Sequence, residues 1–357
     1  TIMRLAKPIL LAALSLSLAQ RASSQDLKLN SKGYLETRGV NVMIYSNPFS
    51  ANFYDEKRSG IDIVHHGVLT VTNGGVRLTQ TPEQWDLVPE MTARNIDENN
   101  GSFEVRLNYA EYDFDSQINV IPEGKGFRII VSLDKPLPES LAGKACFNLE
   151  FLPSAYWNHS YIVDGTPCYF PRYAGNETEA LPLDKKAMQV NNLITSDTRG
   201  TGNFTSAKPL SAGHKFVMAP DEPTRLITVS SDSQIELYDG RILAQNGWFV
   251  LHSFLPSDKT GKVLEWLVEP NSVKDWTRDP VIGFSQVGYT TSQHKEAVIE
   301  LDPNGSHETS AQLFKVNENG EVTLAKSITL DVWGNYLRYD YAKADFSDIC
   351  EPGIYFL

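Results

Sequence analysis

What this sequence has little of narrows its reading first. Cysteine occurs only at Cys146, Cys168 and Cys350 in 357 residues. An odd and scattered count is no disulfide framework, and the spacings hold no Cys-x-x-Cys pair for a structural zinc site. Cys146 and Cys168 share a strand-rich region and could pair in an exported chain, but free thiols are the simpler expectation. Positive charge is also scarce: 32 Lys and Arg against 44 Asp and Glu leave a net charge of −12. No Lys/Arg cluster supplies the basic face that phosphate neutralisation requires, which argues against nucleic acid as a partner. Beyond the N-terminus there is no long apolar run, so no membrane span is expected in the mature chain. Sustained 3.6-residue periodicity is missing there too, which argues against a helical array. Nothing in the pattern calls for a cofactor or a metal ion.

The N-terminus is different. Arg4 and Lys7 precede an apolar run from Pro8 to Ala19, and Ala22-Ser23-Ser24 follows it. A short positive region, an apolar centre and small residues predict a signal peptide over residues 1–24, cleaved near Ser24 and before Gln25. The protein is therefore expected to be secreted, periplasmic or on the cell surface. An uncleaved anchor is the competing reading, and the run is short for a bilayer. No cysteine follows it to carry a lipid.

The rest reads as strands and turns. Val40–Tyr45, Ile61–Val71 and Val76–Thr79 are β-rich, and Asn73-Gly74-Gly75 between the last two predicts a hairpin tip. Phe103, Val105, Leu107 and Tyr109 share one face of an alternating run. Similar runs lie at Phe127–Leu133, Cys146–Leu152, Leu226–Ser230, Ile235–Tyr238, Trp248–Leu255 and Val263–Val268. Between Pro171 and Lys215 the pattern weakens, and a long loop is expected. Glu269–Pro280 breaks the rhythm with two prolines. The expected class is all-β: a sandwich-like N-terminal domain over residues 25–270, a linker over 271–280, and a second strand-rich domain over 281–357. Trp276 in the linker is expected to pin it to a neighbour.

Tyr156, Trp157 and Tyr161 surround His159 in the densest aromatic stretch, with Tyr169 and Tyr173 close by. Flat rings stack on sugars, so these three are the candidate substrate-binding residues; the competing reading places them in a core. Trp85 has the same two readings. Asp113 and Asp115 could share a strand face as paired acids, but read equally as a solvated face. His65 and His66 are adjacent on a predicted strand and would point to opposite faces, so one metal cannot use both. Asp302, Asn304, Ser306 and Glu308 read as a turn rather than a calcium loop. No catalytic residue is assigned.

Two motifs remain. Phe284-Ser285-Gln286-Val287-Gly288-Tyr289 is followed by Lys295 and the apolar Ala297-Val298-Ile299. Near the other end stand Asp345-Phe346-Ser347-Asp348 and Pro352-Gly353-Ile354-Tyr355. In this order and spacing they resemble the immunoglobulin-like domain that precedes the catalytic module in glycoside hydrolase family 9; the family usually has Asn where Ser285 stands. The resemblance covers about the last quarter of the chain. It implies a parent enzyme that cleaves β-1,4-glucosidic bonds of a β-glucan with inversion, through a helical barrel carrying an Asp-rich motif and a late Glu. No Asp-Ala-Gly-Asp run occurs here. The resemblance therefore implies a non-catalytic N-terminal portion whose partner is its own catalytic barrel. A carbohydrate-binding module, or a cell-surface scaffold without hydrolase activity, is the alternative.

Overall fold

The computed structural model describes residues 26–46, 60–79, 87–175, 177–182, 203–241, 247–306 and 308–357. The expected signal peptide and Trp85 lie outside them. The all-β class read from the alternation is the one that forms. One antiparallel sheet runs from Lys28–Leu29 through Leu35–Thr37, Val40–Ile44, Ile61–His65 and Val68–Arg77 to Cys146–Phe151. It continues through Phe249–Phe254, Ile227–Asp239, Gly261–Pro270, Gly126–Leu133, Phe114–Glu123 and Ser102–Tyr109 to Glu90–Asp97. Ser160–Val163, Thr166–Tyr169 and Ser211–Met218 branch from it; the last begins inside the stretch expected to be a loop, where Thr178–Pro182 and Asn203–Ala207 also pair as a separate two-stranded sheet.

Strand geometry sends alternate residues to opposite faces. Phe147, Leu149, Phe151, Leu251 and Trp266 accordingly share one fully buried cluster. The two ends of the sheet close over that cluster. Tyr109 Oη donates to the Val76 carbonyl at 2.5 Å, Arg94 Nε to Ile44 O at 2.8 Å, and the Leu27 amide to Gly124 O at 2.8 Å. Across the core Phe147 and Trp266 meet edge-on at 5.1 Å. The result is a sandwich made from one sheet folded on itself.

The hairpin expected at Asn73-Gly74 lies elsewhere. Val68–Arg77 passes straight through Asn73, Gly74 and Gly75 as one strand, with irregular register against both neighbours. The turn is made by His66 and Gly67, at φ 50° and 78°. Positive φ at both central residues is what a two-residue type I′ loop requires. Gly74 is needed for close approach instead: a Cβ there would lie 2.6 Å from Leu149 Cδ2 and 2.7 Å from Ile61 Cβ.

Residues 281–357 form two smaller sheets. One orders Val281–Gly283, Glu296–Leu301, Tyr339–Asp345 and Asp331–Tyr336; the other orders Val322–Thr329, Ser310–Val316 and Ile354–Phe356. Their core is a separate cluster centred on Ala297, Ile299, Leu301, Leu313, Ile328 and Ala344. The segment between the two cores is held to the large sheet: Trp276 lies edge-on to His66 at 5.2 Å, and Ser272 Oγ donates to Arg38 O at 2.7 Å. Farther out, Arg338 Nη2 donates to Tyr34 Oη at 2.5 Å. None of the three cysteines is joined in a disulfide.

Candidate functional site

The structure separates the three aromatic candidates. Tyr156 is fully buried, edge-on to Phe151 at 5.2 Å, with its hydroxyl donating to Arg225 O at 3.3 Å. Tyr161 is 3% exposed and packs on Phe170 at 4.7 Å, its hydroxyl 2.8 Å from Ser211 Oγ. Neither ring can offer a face to a sugar; both fill the core, where a large ring removes the most apolar area from water. Trp157 alone of the three is open, at 43% exposure. Tyr169 and Tyr173 are more open still. His159 does not join a ring platform: its Nδ1 is 2.9 Å from Asp221 Oδ2.

The sequence reading missed a different cluster. On the four central strands the residues opposite the core line up in rows. Asn148 pairs with Gly75 on one side and His252 on the other, and His252 pairs with Glu236. The row on one side is Arg77, Cys146 and Phe254; the row on the other is Thr72, Glu150, Val250 and Tyr238. A face this polar is normally solvated, yet Asn148, Glu150, Arg77, Tyr238 and His252 are all buried. Most of the polarity is internally matched. Arg77 Nη2 and Asn73 Nδ2 each donate to Glu150 at 2.8 Å, and Tyr238 Oη donates to Glu236 Oε2 at 2.8 Å. The exception is His252, with no exposure and, among the described residues, no hydrogen-bond partner for either ring nitrogen. Burial pushes its pKa down to about 3, so the ring is neutral. The available signal was polar residues at alternate positions of central strands, in Cys146–Phe151 and Phe249–Phe254.

Other candidates resolve into structural roles. Asp113 is not on a strand; it caps a 3-10 turn at φ 48°, while Asp115 accepts from Asn108 Nδ2 at 2.8 Å. His65 and His66 do not point apart, because His66 sits in the turn; the rings are tilted at 4.7 Å. Asp302 closes its turn by accepting from the Arg278 and Asn304 amides, each at 2.9 Å. Among the described residues no group of three or more His, Cys, Asp or Glu is placed to hold a metal ion. Among them, too, no helix is long and apolar enough to cross a membrane.

In the C-terminal sandwich the two sequence motifs meet. Tyr289 lies edge-on to Phe346 at 5.4 Å, and its hydroxyl donates to Glu296 O at 2.9 Å. Lys295 is 5% exposed. Its ammonium donates to the carbonyls of Thr291, Gln293 and Ser347 at 3.0, 2.9 and 3.1 Å, and its amide donates to Ser347 Oγ at 2.9 Å. The Lys of one motif thus ties down the Ser of the other. Beside them opens a groove of about 620 Å³ between Phe284, Tyr289, Phe346, Tyr355 and Leu357. The outer surfaces are unusually apolar: Val332 is 80% exposed, Leu337 67%, and Trp333 and Tyr336 57% each.

Comparison with known proteins bears on this part of the chain. The family described as the cellulase N-terminal ig-like domain matches residues 277–357. Those residues are thus similar to the immunoglobulin-like domain found at the N-terminus of cellulases. No curated protein matches the chain. Among solved structures, the Slr1438 protein of Synechocystis sp. PCC 6803 is 12% identical, over 70% of this chain and 98% of that one, with a TM-score of 0.31. That score is too low to bear on fold or function.

Proposed function

We propose that this chain is the non-catalytic N-terminal portion of a secreted polysaccharide hydrolase of the glycoside hydrolase family 9 kind. The observation that carries the reading is the family match over residues 277–357. The apolar surface around Val332, Trp333, Tyr336 and Leu337 supports it. Exposed apolar groups clustered on a small domain mark a surface that another module covers. In this reading residues 281–357 buttress a catalytic barrel that cleaves β-1,4-glucosidic bonds, and residues 25–270 are a separate β-rich domain upstream. A cellulase-type domain fits an extracellular setting, where the polymer is. The gene beyond the Leu357 codon tests this. An open frame encoding a helical barrel with an Asp-rich motif is expected; an immediate stop or an unrelated module would overturn the proposal. A carbohydrate-binding role is the second reading, favoured by the open rings of Trp157, Tyr169 and Tyr173.

A further inference from the structure

We infer that His66 is a proton-sensitive clamp on residues 271–278, the segment that joins the large sheet to the C-terminal sandwich: the neutral ring holds the segment against the sheet, and the protonated ring releases it. The inference does not rest on the cellulase reading.

The geometry fixes the state of the ring. The Val273 amide donates to His66 Nε2 at 3.1 Å, so that nitrogen carries no proton. The proton of the neutral ring is then on Nδ1, which donates to Thr224 O at 3.1 Å. One tautomer of neutral imidazole makes both bonds, and the residue is 6% exposed. An imidazolium carries a proton on Nε2 as well. It would meet the Val273 N–H donor to donor, and that amide would lose its partner, which is costly away from water.

The ring is closely packed where it stands. A Cβ on Gly39 would lie 2.5 Å from His66 Cδ2 and 3.1 Å from Trp276 Cε3, so hairpin, imidazole and indole meet at one corner. The segment is tied to the same corner by His65 Nε2, which donates to Asn271 O at 2.5 Å, and by Arg38 Nη1, which donates to Trp276 O at 3.3 Å. Its far end belongs to the sandwich. The Arg278 amide donates to Asp302 Oδ2 at 2.9 Å, and the Arg278 guanidinium lies over Tyr339 at 4.6 Å.

The charges around His66 set the direction of the response. Arg225 Nη1 donates at 2.8 Å to Thr224 O, the carbonyl that His66 also uses. The Arg278 side chain passes the turn at Gly67, and His65 is tilted against His66 at 4.7 Å. Glu222 is the carboxylate on this side, and it accepts from Thr224 Oγ1 at 2.6 Å. Burial lowers the His66 pKa; the bond to Thr224 O opposes this, Arg225 adds to it and Glu222 opposes it. A released ring titrates near the ordinary value of about 6.5. The released form therefore takes the proton first, so the clamp is complete above about pH 6.5 and weakens as pH falls. The bond from Arg338 to Tyr34 does not titrate in this range, so release loosens the segment without parting the two sandwiches.

The test is hydrogen exchange of the full chain, read by mass spectrometry as protection factors at about pH 7.5 and about pH 5, with circular dichroism confirming that the sheets are still folded at both. The peptide holding the Val273 and Trp276 amides is expected to lose protection below about pH 6.5, by up to about tenfold per pH unit for one proton. Peptides from Glu296–Leu301 should keep theirs. His66→Gln, which takes up no proton in this range, is expected to abolish the pH response. His66→Phe, which lacks the acceptor, should leave the segment exchanging at about pH 7.5 as the unaltered chain does at about pH 5. His252→Phe, in the core strands of the same sheet, should leave the response in place. The proposal is overturned if the unaltered chain protects the segment equally at both pH values, a result that needs no variant to fold. It is equally overturned if the response survives His66→Gln or disappears with His252→Phe. None of these outcomes depends on whether a hydrolase module adjoins the C-terminal sandwich.

Discussion

Acidifying the protein from about pH 7.5 to about pH 4.5 is expected to remove about 5 kcal/mol of stability from the large sheet, the effect of two buried neutral histidines. Burial lowers the pKa of His65 to about 3, with His66 and Arg225 adding to the shift against the bond to Asn271. Burial alone takes His252 to about 3. In the unfolded chain both rings titrate near the ordinary value of about 6.5. The unfolded state therefore binds protons first as pH falls. The stability these two rings confer is fully present above about 6.5 and is lost progressively down to the folded pKa. Carboxylates enter lower. Partial burial of Asp221 is outweighed by its bonds from His159 and Ser160, which hold it at about 2. Its contribution is lost only below the ordinary carboxylate range near 4. Asp62, raised by burial, acts with the opposite sign. From about pH 6.5 to 4.5 the buried histidines dominate the slope, each of the two worth up to about 1.4 kcal/mol per pH unit, and His66, also lowered by burial, acts in the same direction. Urea denaturation across that window measures the slope. His252→Phe should remove about half of it; a flat profile would contradict the burial of both rings.

Lys295→Met is expected to destabilise the C-terminal sandwich by about 3 kcal/mol or more. Methionine matches the aliphatic stem, so packing is nearly kept. What is lost is the ammonium that serves the carbonyls of Thr291, Gln293 and Ser347. Three carbonyls lose the ammonium that donates to them, and hydrogen bonds to a charged group are the strong ones. The core that must absorb this is small, centred on Ala297, Ile299, Leu301, Leu313 and Ile328. A loss of this size is a large share of what so small a domain holds. Two-probe denaturation should show the change confined to the sandwich, because the two hydrophobic clusters share no residue. An unchanged sandwich transition would mean that the three carbonyls find other partners.

Much of the fold was legible because strand alternation is a strong signal when one face is buried. Phe103, Val105, Leu107 and Tyr109 read as one face and lie in one core. The resemblance over the C-terminal motifs was legible for a related reason: Tyr289, Lys295, Phe346 and Ser347 are fixed by contacts with one another. Two things were not legible. Asn73-Gly74 carries the residue types of a turn, but the same glycine also serves where a strand passes tightly against its neighbours, and only three dimensions distinguish the two. The polar face around His252 was hidden by the usual rule that polar residues on alternate strand positions face water. The aromatic candidates divided for a similar reason: sequence proximity put Tyr156, Trp157 and Tyr161 together, while the backbone sent two of them inward and one out.

In the proposed reading this chain contributes a cellulase-type domain and no catalysis. The most direct measurement is release of reducing sugar from soluble cellulose derivatives and xyloglucan by the purified chain. None above a buffer control is expected. Robust hydrolysis that disappears when a carboxylate of this chain is replaced would contradict it.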